Sequence, residues 1–228
     1  MKKEVFIIEL FDFESLYDLG DNMYIIQSEG FFKFGTDAVV LSDFCNIKNN
    51  YKIADLGTGT GIIPLLLYQR NNTSHIDAVE IDSDICAMAS RSVLYNKLTD
   101  NINIINEDLK NMSLKKGVYD LVTSNPPYKP AGGGLVNKNE KAISARHEFN
   151  CTLEDVVSCG SALLRFGGCF CMVHKPERLS DIVSAFKKHG LEPKRLRVVL
   201  NKKNISSLIL IEGRKGGNPS MTIDAIIK

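Results

Sequence analysis

From residue 51 onward, short β-branched runs alternate with stretches of helical periodicity, and this alternation restricts the fold more than any other feature of the chain. Strands separated by helices pair through crossovers, which gives parallel βαβ units in one doubly wound sheet. Tyr51 to Asp55 reads as a strand; a glycine turn and an apolar helix from Ile62 to Arg70 follow, with Pro64 tolerated in the first helical turn. His75 to Glu80 reads as the next strand, and Asp84 to Lys97 as a helix capped by Ser83, with Ile85, Met88, Ala89 and Val93 on one face. Asn101–Asn106 and Val118–Ser124 are two further strands. Residues 129–150, which include Gly132-Gly133-Gly134, read as a mobile loop. A helix from Leu153 to Arg165 is expected to stop at Gly167-Gly168, and a strand from Cys169 to His174 follows. A helix from Pro176 to His189 stops at Gly190, and strands near Arg195–Leu200 and Ser207–Ile211 close the chain as a hairpin through Asn201-Lys202-Lys203-Asn204. The expectation is an α/β, Rossmann-like fold. It has a seven-stranded, mostly parallel sheet with one antiparallel strand from the C-terminal hairpin, and helices on both faces. The 228 residues suit a single domain, with 1–48 as an extension on a core of 49–228.

In such a sheet, ligands sit beyond the carboxyl ends of the strands, and the chemical motifs of this chain fall at such ends. Asp55-Leu56-Gly57-Thr58-Gly59-Thr60-Gly61 leaves the first of these strands and opens the first of these helices. Glycines let the backbone turn tightly and bring its N–H groups close to a ligand. The third glycine arrives one residue earlier than in the nicotinamide fingerprint, and Ile62 stands where that fingerprint has glycine, which disfavours a hydride-transferring oxidoreductase. Glu80, followed by Ile81, ends the second of these strands, where a carboxylate can accept from both hydroxyls of a ribose and would repel a 2′-phosphate. Asp108, followed by Leu109, is placed similarly after the third, to receive an adenine amino group or to cap a helix.

The sharpest signal is Asn125-Pro126-Pro127-Tyr128, directly after Ser124. Two prolines remove two backbone donors and fix φ, so the carbonyls project rigidly. The Asn125 side-chain oxygen and the Pro126 carbonyl form a pair of acceptors suited to a planar amino group, whose lone pair is delocalised and whose nitrogen must be drawn towards tetrahedral geometry before it can attack. Tyr128 offers a ring on which an unpaired base can stack. The other reading of this segment is a rigid turn with an exposed tyrosine.

The bulk properties set outer limits. No apolar run approaches the roughly 20 residues that span a bilayer, and the acidic residues soon after Met1-Lys2-Lys3 do not fit a secretory leader, so a cytoplasmic location is expected. Six cysteines lack metal-finger spacing and are expected to be reduced thiols, with Cys169 and Cys171 on one strand face; no metal is expected. A net charge of +1 hides an asymmetry: residues 1–150 carry 15 basic and 20 acidic side chains, and residues 151–228 carry 13 and 7. A basic C-terminal third fits a polyanionic partner or simply solvated surface.

Taken together, these motifs resemble those of class I methyltransferases that act on amino groups and use S-adenosylmethionine. A narrower resemblance runs through Gln27-Ser28-Glu29-Gly30-Phe31-Phe32-Lys33-Phe34-Gly35-Thr36-Asp37-Ala38, Ala145-Arg146-His147-Glu148, Lys175-Pro176-Glu177-Arg178-Leu179 and Glu212-Gly213-Arg214-Lys215-Gly216-Gly217. It is to the bacterial family that methylates N6 of adenine 37 in tRNA-Val. The resemblance implies cofactor contacts from Phe34, Gly35, Thr36 and Asp37, from the glycine turn, and from Glu80 and Asp108. Asn125 to Tyr128 would hold the target base, and Arg146, His147, Arg214 and Lys215 would contact RNA. The implied partner is a tRNA or another structured RNA with an unpaired adenine, bound by a monomer. Asn106-Glu107-Asp108 departs from the Gly-Asp pair usual at that strand end. The tetrapeptide equally suits a glutamine amide in a protein such as a release factor. A non-catalytic nucleotide-binding module would not need it intact, and DNA adenine methylation would call for a recognition insertion.

Overall fold

The computed structural model describes residues 9–29, 35–128 and 151–227, so Phe34, Arg146, His147 and the expected loop at 129–150 lie outside the described residues. An antiparallel hairpin of β1 (Glu14–Gly20) and β2 (Met23–Ser28) comes first, followed by helix α1 (Thr36–Phe44). The hairpin was not legible as strands in the sequence. It is fastened to the core through side chains of the third helix: Ser92 Oγ accepts from Ile26 N at 3.0 Å, and Asn96 accepts from Tyr24 N at 2.8 Å.

The central elements then alternate: β3 (Lys52–Leu56), α2 (Ile62–Arg70), β4 (His75–Glu80), α3 (Ser83–Tyr95), β5 (Ile102–Asn106) and β6 (Tyr119–Ser124). The rest comprises α4 (Leu153–Leu163), β7 (Leu164–His174), α5 (Leu179–Lys188), β8 (Leu191–Leu200), β9 (Ser206–Lys215) and β10 (Thr222–Ile227). One sheet runs in the order β10-β8-β9-β7-β6-β3-β4-β5. Strands β3 to β7 pair in parallel, while β9 is antiparallel to both β7 and β8. The α/β class and the antiparallel hairpin strand match expectation. The sheet has eight described strands rather than seven, because β10 adds itself in parallel to the edge of β8.

Buried side chains form a layer on each face of the sheet. Ile53, Ile76, Leu121 and Val173 meet Leu41 of α1, Leu65 of α2 and Val93 of α3 on one side. Val79, Val122, Phe170 and Ile209 meet Val157 of α4 and Phe186 of α5 on the other. Both layers exclude water from side chains that are nearly all aliphatic or aromatic, the dominant stabilising term in a sheet covered on two faces.

Three local expectations need correction. Helix α4 ends at Leu163, not at the glycine pair, because Leu164 is already extended and pairs with Tyr119. Gly167 and Gly168 instead lie in an irregularity of β7; Gly167 has φ +80°, and a Cβ on Gly168 would meet the Tyr119 carbonyl at 2.9 Å. Ser83 does not cap α3, since the Asp82 carboxylate accepts from Asp84 N and Ile85 N at 2.8 and 2.9 Å. Pro176–Arg178 forms a separate short turn, so α5 begins at Leu179. The cysteines are all free thiols, and Cys169 and Cys171 do share a face, both within 4 Å of the Glu212 carboxylate, at 3.8 and 3.9 Å.

Candidate active site

The strand order reverses direction between β3 and β6, and the crevice at such a switch point is where a doubly wound sheet binds ligands. Here the two central motifs meet. Leu56, the last residue of β3, stands opposite Ser124, the last residue of β6. Ser124 Oγ donates to the Leu56 carbonyl at 2.9 Å, and Thr123 Oγ1 donates to Asp55 Oδ1 at 2.6 Å. The glycine turn and Asn125 therefore leave neighbouring strand ends, about 5 Å apart.

Gly57, Gly59 and Gly61 have φ of +70°, +58° and +82°, a region that side chains with a Cβ rarely enter. A Cβ on Gly57 or Gly59 would meet nothing within 4 Å, so the glycines serve backbone conformation and the space before them is open. The turn is held from β4: Gly57 N and Thr58 N both donate to the Val79 carbonyl at 3.0 Å. Glu80 does the rest, its Oε2 accepting from Gly59 N at 2.8 Å and its Oε1 from Asp82 N at 3.0 Å. Each carboxylate oxygen retains a second lone pair, which leaves acceptors for a pair of ribose hydroxyls. Ile81 beside it is half exposed, an apolar surface against which a base can lie.

Asp55 is fully buried, and its Oδ2 makes no well-aligned hydrogen bond among the described residues; the Thr58 hydroxyl beside it is likewise without one. Burial pushes the Asp55 carboxyl up to about 6, against the hydroxyls of Thr123 and Thr58 that hold it down. An orphaned buried carboxylate oxygen at a glycine turn fits a ligand that carries an ammonium group as well as a nucleoside, as S-adenosylmethionine does.

Asp108 lies at the end of the β5 segment, but its carboxylate already caps a short turn, Leu109–Asn111, by accepting from Lys110 N at 2.9 Å. Leu109 is buried beneath it. The cap is observed, and a capping carboxylate keeps a further oxygen that could accept from an amino group.

Asn125 and Pro126 are half-buried, Pro127 is exposed, and Tyr128 folds back onto the site. The Tyr128 hydroxyl donates to Asp37 Oδ2 and lies 3.1 Å from Asn125 Oδ1. A phenol has one proton, and the Asp37 carboxylate is the stronger acceptor, so Asn125 Oδ1 keeps its capacity to accept from a substrate. Burial and the Asp37 contact hold the Tyr128 hydroxyl far above its usual range, which keeps it a donor and not a base.

Two residues here were not singled out for the site by sequence. His174, at the end of β7, packs against the Tyr128 ring with centroids 5.3 Å apart. Its Nδ1 accepts from Lys175 N at 2.8 Å, and burial lowers its pKa to about 4, so it is a neutral ring placed for packing. Lys175 Nζ stands 4.9 Å from the centre of the same tyrosine ring. Any base stacking on Tyr128 would meet this lysine.

Gly35, Thr36 and Asp37 open α1 at the crevice through the Asp37–Tyr128 contact. Arg214 and Lys215 are not brought to the crevice. Arg214 stands opposite Cys169, five residues back along β7 from His174, which is roughly 16 Å at about 3.3 Å per residue. Lys215 Nζ donates to the carbonyls of Ser161 and Leu164 at 2.6 and 2.9 Å, completing the end of α4. The antiparallel direction of β9 carries its last residues to the far edge of the sheet.

The model of the family described as methyltransferase small domain matches residues 28–174. A tRNA1(Val) (adenine(37)-N6)-methyltransferase of Parabacteroides distasonis is 32% identical over 164 residues, covering 72% of this chain and 68% of the relative. Among solved structures, a predicted O-methyltransferase from Agrobacterium tumefaciens superposes with a TM-score of 0.68 at 19% identity, over 84% of this chain and 86% of that one. A geranyl diphosphate C-methyltransferase from Streptomyces coelicolor, solved with S-adenosyl-L-homocysteine, gives a TM-score of 0.60 at 12% identity, over 79% and 80% of the two chains. At these identities the two structures speak for the fold alone.

Proposed function

Because the chain belongs to the methyltransferase small domain family, and within it to that of the tRNA1(Val) (adenine(37)-N6)-methyltransferases, we propose that it methylates N6 of an unpaired adenine in tRNA, of the tRNA-Val adenine 37 type. The observation that carries this reading is the pairing of Leu56 with Ser124, which sets the cofactor turn beside the acceptor pair of Asn125 and Pro126.

S-adenosylmethionine supplies a methyl group already activated on a sulfonium sulfur. In this reading Asp55 Oδ2 receives the ammonium of its amino-acid end, the glycine turn lies along its backbone, Glu80 takes the ribose hydroxyls, and Asp108 meets the adenine amino group. Gly35, Thr36 and Asp37 flank the same pocket, with Phe34 before them. Asn125 Oδ1 and the Pro126 carbonyl accept the two N–H bonds of the target amino group, and hold its nitrogen facing the methyl carbon. The nitrogen becomes acidic as the new N–C bond forms, so its proton leaves without a strong base, consistent with a neutral His174 and a protonated Tyr128. Tyr128 supports the base. Arg146 and His147 would reach RNA from the segment that follows the tetrapeptide.

The protein is taken as one domain, residues 1–228, acting as a monomer in the cytoplasm where tRNA is found. Among the described residues, no helix is long and apolar enough to cross a membrane. The test is incubation of the purified chain with labelled methyl donor and either total tRNA or a protein extract. N6-methyladenosine in the tRNA hydrolysate supports the reading. Label confined to protein glutamine would replace it with the amide-methylating alternative.

A further inference from the structure

We infer that RNA backbone is held by a basic arc on the carboxyl edge of the sheet, formed by Lys175 and Arg178 after β7 and by Lys202 and Lys203 at the tip of the β8–β9 hairpin, and not by Arg214 and Lys215. The inference rests on the reading of RNA as substrate. It follows from the direction of the strands. His174 stands opposite Ile209, and Leu200 opposite Ser206, so the hairpin tip projects past the same edge that carries Asn125. Asn201 Oδ1 accepts from Lys203 N and Ile205 N at 2.9 and 3.1 Å, and Asn204 has φ +58°. The tip is thereby a closed turn with both lysines exposed.

Most other cations of the region are engaged elsewhere, and the exposed Arg214 lies at the opposite end of β9. Lys187 pairs with Glu192, Lys188 with Glu154, Arg195 with Glu212 and Arg197 with Asp224, which leaves Lys202 and Lys203 outside the ion pairs of the described residues. Lys194 donates to Asn218 and Ser220, and Lys215 to two carbonyls. Arg178 pairs with Asp181 at an exposed site, where such a contact is weak and open to exchange for a phosphate. Glu177 is the one further acidic side chain in that turn.

The same edge is acidic at its other end, where Asp82, Asp84, Glu107 and Asp108 follow β4 and β5 with only Lys110 among them. With a net charge of +1, overall attraction to RNA is small, and screening over about 8–10 Å leaves the local sign to decide. A polyanion is repelled from the cofactor half and drawn to the β7–β9–β8 half. Lys175, over the Tyr128 ring, makes the arc continuous with the tetrapeptide.

The test uses the full chain and total bacterial tRNA, with affinity measured across a salt series and S-adenosylmethionine binding as the check on folding. The double variant Lys202→Ala/Lys203→Ala is expected to weaken tRNA binding and to reduce the salt slope by about 1.5, and Arg178→Ala by about 0.8, since each lost phosphate contact removes roughly 0.7–0.9. Arg214→Ala is expected to leave the slope unchanged. If the double variant no longer binds the methyl donor, Arg178→Ala decides alone. Unchanged slopes in both arc variants, or an equal loss in Arg214→Ala, overturn the inference while tRNA methylation by the unaltered chain continues. An unaltered chain that neither binds nor methylates tRNA overturns the RNA reading itself, and the arc with it.

Discussion

The hydroxyl of Tyr128 donates to the carboxylate of Asp37, which lies 91 residues earlier in the chain. This contact joins the first turn of α1 to the tetrapeptide, so the N-terminal extension helps to fix the ring next to Asn125. His174 packs on the same ring, and Lys175 stands over it. The tyrosine is thus held at both its hydroxyl and its ring, and the short segment from Asn125 to Tyr128 inherits that rigidity.

Removing the hydroxyl should loosen this arrangement without emptying the cofactor pocket. Tyr128→Phe is expected to lower stability by about 1.5–3 kcal/mol, the ordinary value for losing a hydrogen bond to a charged group. Single-turnover transfer should slow by roughly tenfold to a hundredfold, as expected for a misplaced reacting group. S-adenosylmethionine affinity should stay within a few-fold. Thermal melting, single-turnover kinetics and calorimetry separate the three effects, and unchanged transfer would deny the contact a positioning role.

The buried Asp55 predicts a pH dependence of known sign. Its carboxyl is held at about 6 by burial, above the roughly 3.9 of an exposed aspartate, so the fold favours the protonated form. Its contribution to stability is whole below about pH 4 and is lost as pH rises through 6. Cofactor binding runs the other way, since an ammonium requires the ionised carboxylate. In the proposed reading, affinity for S-adenosylmethionine should rise about fivefold from pH 5 to 6, by about a further twofold to pH 7, and level off above that. In Asp55→Asn this rise should vanish, affinity should be weaker throughout, and the free protein should melt higher at pH 8 than the unaltered chain. Calorimetric titrations between pH 5 and 8 supply the measurement; an affinity that does not vary with pH would refute the assignment.

Glu80 braces Gly59, and in the proposed reading it also presents lone pairs to a ribose. Glu80→Gln should raise the KM for the methyl donor by roughly tenfold, the loss of one or two hydrogen bonds to a carboxylate, and change kcat little. Steady-state kinetics at saturating tRNA decide the matter, and an unaltered KM would leave Glu80 a structural brace only.

The parts legible in the sequence were local ones. Strands such as β4 from Ile76 to Glu80 and β6 from Leu121 to Ser124 are buried runs, and the turn from Gly57 to Gly61 announces itself by composition. The end of helix α4 is not legible because a glycine pair usually ends a helix, whereas here Leu164 already pairs with Tyr119 of β6. Strand β10 leaves little signal in the sequence because Thr222–Ile227 is short and mostly exposed, and is held by its pairing with β8, the Arg197–Asp224 ion pair and Ile226 against the core. The Asp37–Tyr128 and His174–Tyr128 contacts are products of tertiary folding, with no signature in spacing. The position of Arg214 and Lys215 follows from strand direction, since β9, antiparallel to β7, ends away from the edge that carries Asn125. The expectation of RNA contact there rests on family resemblance, which carries no strand direction.

The most direct test of the pocket is Asn125→Ala, assayed for methyl transfer to tRNA and for binding of S-adenosylmethionine. Transfer is expected to be lost while cofactor affinity stays within a few-fold, because Asn125 is the residue proposed to grip the acceptor nitrogen and stands beside, not within, the glycine turn. A variant that still turns over at a rate near that of the unaltered chain would contradict the account.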